Sequence, residues 1–559
     1  MGEGRTVAGV ILDALSAEGI ETCFGIPGVH NLGLWNALAP GRPRVIGVRH
    51  EQAAGYAADG LYRATGRRAA AFLTSGPGAA NAVTAFGEAF MAYSPLLVLA
   101  SDVGTGLRRA GVTRGILHEM RDQAAMFAAF GAFARTSRST AEAVGDVRDA
   151  LAALRTAPAR PAYVGVPADL LDQAWDQPPP LQLAQHPTLP ESPQVAPVER
   201  ADEQALAELA DALRAADRIV LWLGGGVIAA GVEDGVRRLA ARLGAAVVTS
   251  FAGRGLLTGD PHLIDVPVHE PEVAEVVGGA DVLLVLGSDF DAMNTRNWKL
   301  PLPPLTAAIT LGSQVAHTID WDHLVSADLA AALPALEAAL GPAQGPRECW
   351  VPDAAGMRGR VFDRLRRDPR VAEAMAFTDA LEAGWSQDDA MVVDMAVAGF
   401  WAALYARQAR PRRAHYPVGW GTLGYALPAA IGPASQGIAT LAVCGDGGPM
   451  FALGELATYA QESLPITLLI VDDGGYGMLR FDQQAFGHPE RGVDLLTPDW
   501  VALAAAFGIG GVEIPAVSAL PGALRAAREA NGRGEPRLIV WKQRLYPPRT
   551  TSPRWFEAT

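Results

Sequence analysis

Three carboxylates stand beside glycines in the C-terminal third of the chain: Asp446 in CGDGG (444–448), and the adjacent Asp472 and Asp473 in VDDGG (471–475). Either motif alone is ordinary turn punctuation, because Asp and Gly both suit tight turns. Three uses compete for the paired acids: a solvated turn, acid/base carboxylates, or oxygen ligands for a hard cation. The flanking residues favour the cation. ATLAVC before GDGG and PITLLIV before DDGG read as buried strands over 439–444 and 465–471, with a helix expected over 450–462 between them. A strand, helix, strand unit of this length makes its two strands parallel, so the loops carrying Asp446 and Asp473 leave the same edge of the sheet. Gly445, Gly447 and Gly448 let backbone amides approach a diphosphate, with the amino end of the next helix directed at it. Asp446, one of the later aspartates and a backbone carbonyl then suit Mg²⁺, which takes a few protein oxygens and completes its shell from phosphate.

The elements that must hold these loops recur along the chain. Its 559 residues exceed one hydrophobic core and point to about three domains. Short apolar runs alternate with longer segments of helical period, the pattern of parallel sheets covered by helices. In the middle of the chain RIVLWLGGG (218–226), AAVVTSF (245–251) and DVLLVLGS (281–288) read as buried strands. Proline crowds QPPPLQLAQHPTLPESPQVAP (177–197), an extended connector, and GPAQGPRECWVPDAAG (341–356) makes a second break. The expected organisation is α/β, with three doubly wound parallel-sheet domains near 1–180, 195–340 and 360–545. No short-period repeat is visible.

Composition excludes several classes of partner. With 46 basic and 60 acidic side chains the formal charge is −14, which disfavours nucleic acid and anionic lipid. Cys23, Cys349 and Cys444 lie far apart, so neither a disulfide framework nor a zinc site is expected. The chain shows no apolar run of membrane-spanning length and no cleavable signal, and a cytoplasmic protein is the expectation.

The spacing of GDGG and the acid pair, with Asp446 and Asp473 27 positions apart, resembles the diphosphate-binding motif of thiamine diphosphate (ThDP) enzymes. RHEQAAGYAADGLYRATG (49–66), TSGPGAANAVTAFGEAF (74–90) and GWGTLGYALPAAIG (419–432) resemble other stretches of the acetohydroxyacid synthase and 2-oxo acid decarboxylase superfamily, in the same order. The resemblance implies a pyrimidine-binding first domain, a central domain and a diphosphate-binding third domain. It implies Mg²⁺ on Asp446, Asp473 and the carbonyl of Gly475, and diphosphate on the amides of Gly447 and Gly448, with Gly445, Tyr476 and Gly477 completing the cofactor loop. Leu423 would prop the cofactor into its bent form, the Gly421 carbonyl would accept from its 4′-amino group, and Glu51 would face pyrimidine N1′. For that role the Glu51 carboxyl must carry a proton, which apolar neighbours such as Ala53, Ala54 and Ala57 would favour. The cofactor would lie between subunits of a homodimer or homotetramer.

Two departures stand out. Asp473 occupies a position where the family usually has Asn, which adds a negative charge beside a diphosphate. Two such charges about 4 Å apart cost on the order of 4 kcal/mol at an effective dielectric of about 20, before a cation offsets it. The central SDFDAMNTRNW (288–298) is more like members without flavin, and no FAD is expected. FGIPGVHNL (24–32), LHEMRDQ (117–123) and the MNTRNW turn resemble 5-guanidino-2-oxopentanoate decarboxylase-like members. His30 and His118 are the expected proton-transfer or substrate-contact residues; Trp298, Trp420 and Phe481 suit packing. The activity expected is decarboxylation of a small-molecule 2-oxo acid with release of an aldehyde. An acetolactate synthase-like carboligase and a catalytically degenerate binding or regulatory homologue are the alternatives, the latter suggested by Asp473 and opposed by Glu51.

Overall fold

Runs of Val, Ile, Leu and Ala without alternating polar residues can be buried on both faces only in sheets covered by helices on each side. The computed structural model describes residues 5–109, 112–175, 202–312, 315–342, 345–417 and 419–549; the connector expected over 177–197 lies outside them. The first sheet contains β1 (Thr22–Gly25), β2 (Arg44–Gly47), β3 (Ala69–Leu73), β4 (Leu96–Asp102), β5 (Phe133–Thr136) and β6 (Ala162–Pro167), in the order β2-β1-β3-β4-β6-β5. The second contains β7 (Ile219–Leu223), β8 (Ala246–Thr249), β9 (Val282–Leu286), β10 (Leu305–Thr310) and β11 (His323–Ser326), in the order β11-β10-β9-β7-β8. The third contains β12 (Ala390–Val393), β13 (Ala414–His415), β14 (Thr440–Gly445), β15 (Ile466–Asp472), β16 (Gly510–Ile514) and β17 (Arg537–Lys542), in the order β13-β12-β14-β15-β17-β16. Every strand pair is parallel, and helices cover both sides of each sheet, as the apolar runs predict.

All three sheets wind the same way, and the first and third have identical strand order. In each, the second strand lies on one side of the first and the third strand on the other. Such a reversal leaves a crevice beyond the carboxyl ends of the first and third strands, where open α/β sheets bind ligands. In the second sheet this crevice is filled by backbone: the Gly226 amide donates to Gly287 O at 2.8 Å, and a Cβ on Gly224 would lie 2.1 Å from the same oxygen.

The third sheet joins the molecule together. One of its faces shares a core with the second sheet, where Trp222 and Val285 are buried together with Trp401 and Val443. The opposite face shares a core with the first, where Phe24 and Tyr56 meet Ile431 and Tyr459. The helix Glu51–Thr65 makes the second of these contacts through small residues. A Cβ on Gly60 would lie 2.1 Å from Ala429 O, and one on Gly432 2.2 Å from Ala57 O. Beside that contact Arg63 is bonded to Glu88 at 2.7 Å and paired with Asp59 at 2.9 Å, while the Tyr425 hydroxyl donates to Asp59 at 2.6 Å. Burial works against the Arg63 charge, but Asp59, Tyr425 and Glu88 surround it and hold its proton more firmly than usual.

Gly432→Ala is expected to wedge the helix Glu51–Thr65 away from the third sheet and to cost about 1–3 kcal/mol in chemical denaturation. Gly359→Ala, within the helix Met357–Arg367 and with open space around its Cβ, is expected to add about 0.5–1 kcal/mol.

Candidate functional site

The crevice of the third sheet lies beyond the tips of β12 and β14. Gly445 is in register with Val471, so the tip of β15, with Asp472 and Asp473, flanks the loop Gly445–Gly448. Asp446 is 1% exposed; among the described residues no side chain bonds its carboxylate oxygens, which face only the amides of Asp446 itself and Gly475. Burial first, then the Asp473 and Asp472 carboxylates, push its carboxyl up to about 7. A buried charged group without partners costs several kcal/mol unless something compensates it, and here a cation can. Among the described residues no group of three or more His, Cys, Asp or Glu forms a metal site. A cation at Asp446 must therefore draw further oxygens from backbone or from its own ligand, as small hard cations do.

Asp473 is set differently. A Cβ on Gly477 would come 1.9 Å from its Oδ2, so the missing side chain makes room for the carboxylate at the start of the helix Gly477–Ala485. From that helix Arg480 reaches back. It approaches Asp473 Oδ1 at 3.4 Å, donates to Gly474 O at 3.1 Å and pairs with Asp494 at 3.0 Å. Burial pushes the Asp473 carboxyl up and Arg480 pulls it back. The segment around Val493 closes over the loop: Val493 O accepts from Tyr476 N at 2.8 Å, and a Cβ on Gly475 would lie 1.9 Å from the same oxygen. Gly447 is held equally tightly, its Cβ position falling 2.6 Å from the Tyr476 ring.

One expectation needs correction. The helix expected over 450–462 is shorter: a single 3₁₀ turn, Pro449–Phe451, follows the glycines, and the helix runs only over Glu455–Gln461. Pro449 begins the turn, and three residues, 452–454, separate its end from the helix. The glycine loop therefore does not lead directly into a long helix, and its own amides remain the nearby donors.

Asp394, at the tip of β12, was not singled out from sequence. Its Oδ1 accepts from Met395 N at 2.9 Å and Gly424 N at 3.0 Å, the amides of Tyr425 and Ala426 also favour its charge, and its Oδ2 lies buried 2.4 Å from where a Gly448 Cβ would lie. Burial, opposed by these amides, pushes its carboxyl up to about 6. It thus ties the 421–425 loop to the glycine loop. An acid ending the apolar run AMVVD was its only signal. In the 421–425 loop Gly421 takes φ +73°, Leu423 is left 38% exposed, and the Thr422 hydroxyl bonds that of Tyr56 on the helix Glu51–Thr65.

The first-sheet crevice collects the remaining expected residues. Glu51 opens its helix, and its Oε2 accepts from Asn81 Nδ2 at 2.9 Å. The preceding amides, Arg49 N and His50 N, donate to the buried Glu455 carboxylate at 2.8 and 3.1 Å, which anchors the start of that helix to the third sheet's layer. His30 follows β1 and Ser75 follows β3; His30 Nδ1 lies 2.6 Å from Ser75 Oγ, and His118 Nδ1 lies 3.2 Å from the same oxygen. The two imidazoles, 88 residues apart in sequence, thus meet edge to face with centroids 5.1 Å apart. Burial and then His118 lower the His30 pKa, against the pull of Asp102. Of the tryptophans, Trp298 donates to Phe290 O and Trp420 meets the Phe130 ring, while Phe481 packs on Tyr546.

The raised Asp446 carboxyl carries a sign. Its folded value, about 7, exceeds the ordinary 3.8, so the folded state binds the extra proton and metal-free stability falls as pH rises from about 4 through about 7. Asp446→Asn is expected to raise the metal-free melting temperature at pH 8, by a stabilisation of ~2 kcal/mol, and to remove any stabilisation by added Mg²⁺; calorimetry with and without Mg²⁺ checks both.

Three models of thiamine pyrophosphate enzymes match the chain: the N-terminal TPP binding domain over 5–135, the central domain over 206–336 and the C-terminal TPP binding domain over 394–540. Probable 2-ketoarginine decarboxylase AruI of Pseudomonas aeruginosa is 31% identical over 518 residues, covering 90% of this chain and 88% of the relative. A probable acetolactate synthase large subunit of Methanocaldococcus jannaschii is 27% identical, covering 90% and 86%. The acetolactate synthase isozyme 2 large subunit of Escherichia coli is 26% identical, covering 93% of each. Matched in all three parts and over nine-tenths of its length, this chain belongs to the thiamine pyrophosphate enzymes, among their decarboxylases and acetolactate synthase-like carboligases.

Proposed function

We propose that the protein uses ThDP and Mg²⁺ to decarboxylate a 2-oxo acid without oxidation, releasing an aldehyde. The observation that carries this reading is the buried carboxylate of Asp446, beside Asp473 and without a cationic partner among the described residues, a site that a divalent cation would satisfy. Asp446, Asp473 and the Gly475 carbonyl hold the Mg²⁺; Gly445, Gly447 and Gly448 hold the diphosphate, with Tyr476 and Gly477 shaping the loop. Arg480 offsets the charge that Asp473 adds. Gly421 and Leu423 orient the pyrimidine and thiazolium rings, and Glu51 holds a proton for pyrimidine N1′. Bound ThDP supplies a nucleophilic carbon and an electron sink for loss of CO₂. His30 and His118 serve the proton transfers around the substrate.

The same reading makes the active enzyme a homodimer or homotetramer. Apolar side chains are exposed in the relevant loops of the first part of the chain, at Val29 and Leu117, and of the third, at Met450, Phe451 and Leu496. Burying such surface between copies is favourable at about 25 cal/mol per Å². FAD is not part of this reading, because SDFDAMNTRNW (288–298) is more like the corresponding turn of members without flavin. A cytoplasmic location accords with the three free cysteines, and among the described residues no helix is long and apolar enough to cross a membrane. The likeness to a probable 2-ketoarginine decarboxylase makes a guanidino-substituted 2-oxo acid the first substrate to assay. The likeness to acetolactate synthases supports a second reading, transfer to another carbonyl compound.

CO₂ release across a panel of 2-oxo acids, with product mass measured with and without an added acceptor, separates the two. Glu51→Gln is expected to lower kcat by about 100-fold or more while ThDP still binds. Asp473→Ala is expected to weaken Mg²⁺-dependent ThDP binding at least tenfold in titration calorimetry, whereas Asp473→Asn keeps it. ThDP affinity unchanged in Asp473→Ala would remove that residue from the metal set.

A further inference from the structure

The first-sheet crevice contains an arrangement that neither histidine reveals alone. Ser75 Oγ is fully buried and lies between two imidazole Nδ1 atoms, His30 at 2.6 Å and His118 at 3.2 Å. Its surroundings hold it there. His118 sits in the left-handed region at φ +66°, a strained conformation for a residue with a side chain. Gly76, at φ +61°, packs so closely that a Cβ would lie 2.7 Å from His118 Cβ, and its amide donates to Gln123 Oε1 at 2.6 Å. Gln123 is fixed in turn, donating to Ser101 O at 2.9 Å and to the Tyr163 hydroxyl at 2.6 Å. The charged groups nearby are Asp102, at the end of β4 with Arg108 on it, and Glu51, whose Oε1 lies 3.3 Å from the Cβ position of Gly78.

A hydroxyl has one proton to donate. When both rings are neutral, Ser75 can donate to one Nδ1 and must accept from an Nδ1–H on the other. We propose that Ser75 is a positioning residue that holds His30 and His118 in opposite tautomers, so that one presents Nε2–H while the other presents an Nε2 lone pair. The pair then acts as matched acid and base at one hydrogen-bonded centre.

This rests on the decarboxylase reading for its use in turnover. Aldehyde release requires a proton on the carbon that lost CO₂ and removal of one from the hydroxyl on that carbon, whose bond to bound ThDP would break as the C=O forms, the electron pair staying with ThDP. The acid ring gives its Nε2 proton to carbon and takes the Ser75 proton at Nδ1. Ser75 takes the Nδ1 proton of the base ring, whose Nε2 takes the hydroxyl proton. One proton enters and one leaves, no charge accumulates, and the tautomers end exchanged.

The test begins on protein without cofactor or substrate. Ring-labelled histidine is observed by NMR at pH 8, with His30→Gln and His118→Gln used for assignment. Opposite tautomers in the parent that become alike in Ser75→Ala support the coupling; like tautomers in the parent, or opposite ones persisting in Ser75→Ala, overturn it. In the loaded enzyme Ser75→Ala is expected to lower kcat about 10- to 100-fold, with KM and ThDP affinity within about twofold and most activity restored in Ser75→Thr. An unchanged kcat overturns the role in turnover even where the NMR coupling holds. A parent that releases no CO₂ while its rings are coupled counts against the decarboxylase reading and leaves the tautomer pairing standing.

Discussion

A carboxylate buried just past the tip of a strand, with no cationic side chain among the described residues to answer it, is the constraint around which this site is organised. Asp446 could be satisfied by an arginine or lysine, as many buried acids are, yet among the described residues only the amides of Asp446 itself and Gly475 favour its charge, and the nearest charges, Asp473 and Asp472, repel it. Folding alone cannot favour that arrangement. It persists because the rest of the sheet over-determines it: β14 is paired along its length between β12 and β15, and strands so anchored cannot withdraw their tips. Under the proposed function, a site that costs stability when empty would recover it on binding a cation and its phosphate ligand.

The neighbouring charges follow from that constraint. Asp473 adds a second acid where a neutral amide would suffice, and Arg480 answers it from one turn into the following helix while also gripping Gly474 O and Asp494. Asp394 performs a similar duty from the opposite side, taking the amides of Met395 and Gly424 so that the 421–425 loop and the glycine loop keep a common geometry. Neither residue need touch a ligand to matter. Each reduces the number of positions that the loops can adopt before binding, which is where preorganised sites gain their affinity.

Chemistry of two kinds is divided between two sheets of the same winding. The third-sheet crevice carries acids and glycines suited to a cation and a diphosphate; the first-sheet crevice carries Glu51, His30, Ser75 and His118, suited to moving protons. They are mechanically joined, since Glu455 grips the amides of Arg49 and His50, and Tyr56 on the same helix meets Thr422. Small residues at Gly60 and Gly432 bring the helices close enough for those bonds to form.

The sequence by itself determined what depends on neighbours in the chain. Period and composition were enough to expect parallel strands near 439–444 and 465–471, and spacing was enough to expect Asp446 and Asp473 at one sheet edge, because parallel strands end at the same edge. Local pattern was less reliable over 450–462, where a proline turn delays the helix to Glu455. Only the tertiary structure decided that the first and third sheets share one strand order and that the backbones at Gly224 and Gly287 meet in the second. It alone brought together His30, Ser75 and His118, and Asp394 with Gly424 and Gly448. Those contacts join residues tens of positions apart, so no local pattern carries them; they exist only once strand order has chosen which loop tips become neighbours.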